Sequence, residues 1–272
     1  MSKRAATSRD DAAASIDAAN KRGRAAGTAA VAAARRQGLK IVNHGAGTVP
    51  VDAPAPYNGT RYTLLQDPPD APAPFTVAAH NGVKGQDGKL HFADAPEFLP
   101  TLTPAEAIRR GIFGGCYFHP SGGKPGVFGR TVAVTHEEFP PEWFEGVPAA
   151  MYASRKYHVP TNCHGVKSGF GQREWESKGW IHAQDPRGWF HWYCRFFCGR
   201  RSYDDARQIA RWAACASPRG RWRNQLCGAL AKGVSKRHDD ASVSPVIRQT
   251  LLHWAYELSE QDFEEWRLRK SK

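Results

Sequence analysis

The sequence predicts an α+β fold that is mostly α, with a small β-containing N-terminal portion and a helical, Trp- and Arg-rich C-terminal portion. Three observations carry this expectation. All nine Trp lie at or after Trp143. Helix-capping residues recur from Thr103 and become dense in a helical half that starts at about residue 168, whereas short β-prone runs and Gly-Pro clusters fill the region before it.

Taken in order, residues 1–50 hold nine basic and three acidic side chains and no aromatic one. Such a segment has too little apolar area to offset its ordering entropy, and reads as a disordered, basic, Ala-rich tail. An electrostatic arm and an organelle-targeting peptide are both compatible with it, although Asp10, Asp11 and Asp17 are unusual in a transit peptide. Residues 51–74 contain six Pro and form an extended lead-in. A single globular domain is expected over 75–272. Phe75-Thr76-Val77-Ala78-Ala79 reads as a strand, and the Gly-rich run 84–89 before Leu90 reads as a turn between strands.

Thr103-Pro104-Ala105-Glu106 combines an N-cap, a Pro in the first turn and a capping-box Glu, and Gly111 offers a stop, so a helix is expected over 104–110. The run 114–123 reads as a Gly-rich loop; its Lys124 is followed by Pro125, which breaks the phosphate-loop pattern. Asp185-Pro186 reads as an N-cap and first-turn pair for a helix over 186–198. Aromatic residues around most of that helix predict that it is buried, with Trp189 and Trp192 in the core. Ser202 and Asp205 suggest a second cap, for a helix over 206–215, and a third helix is expected over 221–232. Ser244-Pro245 suggests a fourth, with Val246, Leu251, Trp254, Ala255 and Leu258 as its inner face, and Ser259 caps a fifth.

Function classes follow from charge. The chain of 272 residues has 38 Lys+Arg against 26 Asp+Glu, a formal +12, with 41% hydrophobic residues. That apolar content supports a real core, and the excess of positive charge points to an anionic partner. The longest uncharged apolar-leaning run, 25–34, is far short of the roughly 18–20 residues that cross a bilayer, so no membrane partner is expected. Six Cys in this length are too few for a disulfide scaffold. The expected location is intracellular, nuclear or cytoplasmic.

The positive charge is concentrated. Residues 180–237 hold twelve basic and three acidic side chains together with five of the nine Trp. Arg donates a planar fork that matches phosphate, and Trp offers a face for base stacking. Arg200, Arg201, Arg207, Arg211, Arg219, Arg221 and Arg223 therefore form the expected nucleic-acid footprint, with Arg207 and Arg211 sharing a helix face. The competing account pairs these arginines with Asp185, Asp204 and Asp205 inside the fold, but three carboxylates cannot neutralise twelve cations.

The segments Phe113-Gly114-Gly115, Gly179-Trp180, Asp185-Pro186, Gly188-Trp189-Phe190, Trp192-Tyr193-Cys194-Arg195-Phe196, Gly199-Arg200-Arg201, Asp204-Asp205, Arg207-Gln208-Ile209, Arg211-Trp212 and 244–254 resemble a family of uncharacterised proteins of microbial eukaryotes and large DNA viruses. The resemblance spans about residues 103–263. It implies one folded unit and transfers no catalytic residue.

Two other chemistries are open at this level. Asp204 and Asp205 beside Arg200 and Arg201, with His182 and Asp185 near in sequence, would suit an enzyme acting on a nucleic-acid or phosphorylated substrate, a carboxylate serving as general base or metal ligand. Cys116 with His119, and Cys163 with His164, are metal-ligand types, but without the repeated spacing of a zinc finger. Cys194 and Cys198 stand at helical i, i+4 spacing.

Overall fold

A computed structural model of the chain describes residues 82–119, 135–178, 180–181, 185–202 and 204–271. The expected tail, the Pro-rich lead-in, the strand at 75–79, residues 120–123 of the Gly-rich loop, and His182 lie outside the described residues. Within them the fold is α+β and mostly α.

Two two-residue strands, β1 (Val83–Lys84) and β2 (Leu90–His91), pair antiparallel across the predicted turn, Val83 opposite His91 and Lys84 opposite Leu90. Helix α1 (Pro104–Arg110) has the full capping box: the Thr103 hydroxyl accepts from the Glu106 N–H, and the Glu106 carboxylate accepts from the Thr103 N–H. Gly111 ends it at φ 87°, with its N–H donated to the Ile108 carbonyl. Among the described residues from Phe113 to Thr161 the chain makes only short 3₁₀ turns, rich in Pro and aromatic residues. Six further helices follow among the described residues: α2 (Gln172–Ser177), α3 (Trp189–Phe197), α4 (Asp205–Ala216), α5 (Arg221–Lys232), α6 (Pro245–His253) and α7 (Glu260–Ser271).

Helix α3 is the axis of the core. Every one of its nine residues is buried, as expected of a helix aromatic on all sides. The ring of Phe98, on the loop after β2, packs within 6.3 Å, centroid to centroid, of Trp189, Trp192, Tyr193 and Phe196 of α3, Trp212 of α4 and Phe92. Each large ring so enclosed removes about 150–250 Å² from water, an upper estimate of roughly 4–6 kcal/mol of transfer free energy per ring at about 25 cal/mol/Å². Polar tips are satisfied where they penetrate: the Tyr193 hydroxyl donates to the Leu102 carbonyl, and the Tyr117 hydroxyl donates to the Arg187 carbonyl while accepting from the His191 N–H. The loop after α6 closes the other side, where the Ala255 carbonyl accepts from the N–H groups of Thr101 and Leu102.

Three sequence expectations are corrected. Helix α3 starts at Trp189, three residues after Pro186, with Gly188 at φ 87° as its N-cap; Asp185 is not its cap, and its carboxylate meets Arg195 and Arg200 instead. Helix α6 ends at His253, so Trp254, Ala255 and Leu258 lie beyond it, and Val246 is exposed rather than inward. Ser202 and Asp205 make only half a capping box: the Asp205 carboxylate accepts from the Ser202 N–H, but the Ser202 hydroxyl donates to the same carboxylate instead of accepting from the helix.

Candidate nucleic-acid interface

The seven arginines of the expected footprint divide into an enclosed group and an open one. Gly199 at φ 94° reverses the chain after α3 and turns Arg200 and Arg201 back into the fold. Arg200 is 2% exposed, and its Nη2 donates to Asp185 Oδ2 at 2.8 Å. Arg201 holds both carboxylate oxygens of Asp94, donates to the carbonyls of Phe196 and Arg200, and lies 3.6 Å over the Phe196 ring. Arg223 is 2% exposed, ion-paired to Asp262 at 3.0 Å and packed over Tyr256. None of the three presents its fork to an outside partner, which corrects the expectation for them.

Arg207 and Arg211 do share a face of α4, and that face is turned inward. Arg207 grips Asp204 with Nε and Nη2, and Gln208 Nε2 donates to the same carboxylate at 2.8 Å. Arg211 Nη1 donates to the Trp180 carbonyl and to Gln208 Oε1, and the guanidinium lies 5.6 Å over Trp254. Burial, then the nearby Arg207 charge, pull its pKa down to about 10.

Besides Asp185 and Asp204, carboxylates from outside the block help to neutralise it. Glu138, on a 3₁₀ turn more than fifty residues earlier, meets Arg195 Nε and His191 Nε2. Asp94 and Asp262 come from the β2 loop and α7. Asp185, Arg195, Arg200 and Glu138 thus form one buried, charge-balanced chain. Burial pushes the Glu138 carboxyl up, but Arg195 and His191 outweigh it and bring it down to about 2; Asp185 is likewise held well below the usual carboxylate range by Arg200 and Arg195 despite its burial. Counting only acids near in sequence missed these partners, since nothing in a single sequence marks which distant carboxylate folds onto which arginine.

The same geometry answers the other candidates. Asp204 is 2% exposed and filled by Arg207 and Gln208; Asp205 accepts from Trp192 Nε1 and from Ser202, with burial raising its pKa. Both carboxylates are packing partners, not an open acid-base pair. Cys116 Sγ donates to the Phe113 carbonyl, and the His164 N–H donates to Gln249 Oε1. No group of three His, Cys, Asp or Glu able to hold a metal ion occurs among the described residues. Cys194 and Cys198 are buried, and burial drives both thiols up.

The open group sits at one corner. Arg219 is exposed on the turn between α4 and α5, and Arg221, in the first turn of α5, stacks 4.3 Å over the half-buried Trp222. The end of α7 reaches the same place, where Arg269 Nη2 donates to the Pro218 carbonyl at 2.7 Å and Lys270 is exposed beside it. Arg219, Arg221 and Arg269 have no carboxylate within 4.0 Å among the described residues. Arg269 and Lys270 were not singled out in the sequence, because a charged C-terminal helix reads as a solvated one. The first turn of α5 contains no acidic residue, so two arginines stand where the helix dipole already favours an anion. Compared with protein-family models, with curated proteins and with solved structures, the chain matches none.

Proposed function

We propose that the protein binds nucleic acid through the corner formed by Arg219, Arg221, Trp222 and Arg269. The observation that carries this reading is the set of three unpaired arginines gathered at the positive end of α5, next to an indole that is already stacked on one of them. Like charges placed there repel one another and the helix terminus, a cost that a phosphate backbone would relieve. The arginine fork and the partly open Trp222 face fit phosphate and base respectively. Among the described residues no helix is long and apolar enough to cross a membrane. A nucleic-acid partner places the protein inside the cell, in the nucleus or cytoplasm. The geometry of Asp204 and Asp205 favours no catalytic reading.

The test is a binding titration of the full chain with mixed-sequence DNA, RNA and a polyanion control over a range of salt, repeated with Arg219→Gln, Arg221→Gln and Arg269→Gln combined. The slope of log K against log salt should become shallower by roughly 0.7–0.9 for each phosphate the variant no longer neutralises, whatever the nucleotide sequence. An unchanged slope and affinity in a folded triple variant would remove the corner from consideration.

A further inference from the structure

A second feature lies away from that corner. Between α1, the β1–β2 turn, the loop at 238–241 and the segment 257–259 is a cleft of about 440 Å³, within the size range of small-molecule sites. Its walls carry Arg248, His164, Arg110 and His238, with Glu257 and Glu106 among the facing carboxylates.

Arg248 differs from the four buried arginines Arg195, Arg200, Arg201 and Arg223. It is 8% exposed, and its fork is anchored only to backbone: Nε donates to the Val243 carbonyl and Nη2 to the His238 carbonyl at 2.7 Å. Arg195, Arg200, Arg201 and Arg223 each meet a carboxylate, whereas Arg248 has none within 4.0 Å, and its Nη1 makes no hydrogen bond, among the described residues. Asp240, Asp239 and Glu257 act on Arg248 only from beyond hydrogen-bond distance; a buried guanidinium with no direct ion pair is costly, so a fold that builds one on the wall of a cleft leaves room for an anion. Two backbone anchors also fix the fork in place, which lowers the entropy cost of receiving a ligand.

His164 stands on the same cleft, its backbone held by Gln249 of α6. Its pKa is lowered by burial and then by the charges of Arg248 and Arg110, so both guanidiniums act on the imidazole, although Arg110 is doubly tied to Glu257.

We propose that this cleft binds a small molecule carrying a single phosphate group, with Arg248 Nη1 and the His164 imidazole as the phosphate's ligands. The carboxylates on the opposite wall would repel a polyanionic strand but accept hydrogen bonds from the hydroxyls or amine of a small polar body. The site is therefore distinct from the nucleic-acid corner, and its ligand is of a different class.

The test uses the full chain at fixed ionic strength, with inorganic phosphate and glycerol phosphate as probes and acetate and chloride as controls. The His164 imidazole resonance should move saturably with either phosphate probe and not with chloride; a response to acetate equal to that to phosphate would overturn the phosphate assignment. Arg248→Gln should weaken the phosphate response at least about tenfold, while Arg219→Gln with Arg221→Gln should leave it intact. Should Arg248→Gln fail to fold, His164→Asn serves instead, since only the backbone of His164 is hydrogen-bonded; its phosphate affinity, read by calorimetry, should fall several-fold. No saturable shift in the unmodified chain, undiminished binding in a folded Arg248 or His164 variant, or loss of binding in the corner variant would each overturn the proposal.

Discussion

Asp204 is a carboxylate almost sealed from water, and its charge is met by Arg207 on both oxygens, with Gln208 donating to one of them. Removing the guanidinium strands that charge, so Arg207→Gln should destabilise the protein by roughly 3–5 kcal/mol, the range for breaking a buried pair, less what the partial exposure of Arg207 gives back. Adding Arg211→Gln removes the link from α4 to the Trp180 carbonyl and the cation over Trp254. The expected outcome is a lower urea midpoint with no change in the salt slope of nucleic-acid binding. A shallower slope with unchanged stability would put this face back among the phosphate-binding surfaces. The sequence showed the spacing of these two arginines on one helix face correctly. It could not show which way the face turns, because that is decided by Trp180 and Trp254, which reach it from other parts of the fold.

Helices whose ends are set by neighbours in sequence were readable from it. The α1 capping box and the α5 limits at Arg221 and Lys232 follow from residues within four positions. Elements set by distant partners were not: α3 begins late because Asp185 answers to Arg195 and Arg200, and the Phe98 hub assembles rings from three separate segments. Gly111 lies on the border between the two cases. Its φ of 87° is one that side chains rarely adopt, and an added Cβ would run into the Thr161 carbonyl oxygen. Its own carbonyl also accepts from Cys163 and from Gln249, so the backbone there cannot shift freely. Gly88 has a similar φ of 72° but open space around it. Gly88→Ala should therefore cost only the left-handed penalty, about 1–2 kcal/mol, and Gly111→Ala clearly more, since the clash adds to the same penalty. Equal urea midpoints for the two variants would mean that the α1 stop relaxes.

Across the whole molecule, charges from the N-terminal portion pair with charges on the helical portion: Glu138 with Arg195, Asp94 with Arg201, and Lys89 with Asp262. The two portions should therefore respond to acid together. His191 is fully buried and its pKa is lowered to about 4, first by burial and then by Arg195; His253, stacked on Phe113 and accepting from its N–H, is lowered by burial to about 3. In the unfolded chain both titrate near 6.5. Between pH 6.5 and 4 the unfolded state thus binds protons that the native state refuses, so stability falls as pH falls, by up to about 1.4 kcal/mol per pH unit for each histidine. Below about pH 4.5 Glu138 and Asp185 join, since their native pKa values are depressed and their stabilisation is lost only as acid protonates the unfolded carboxylates. Against a typical stability of about 5–15 kcal/mol, the histidines alone remove several by pH 4, and the carboxylates should complete cooperative unfolding shortly below it. Urea unfolding at pH 7.5, 6, 5 and 4.5 should show a slope approaching two protons, and His253→Gln, which keeps an acceptor for the Phe113 N–H but does not titrate, should reduce that slope by about one. A pH dependence identical to that of the unmodified chain would mean that the His253 ring takes up its proton in the folded state, and that the Phe113 contact opens to let it do so.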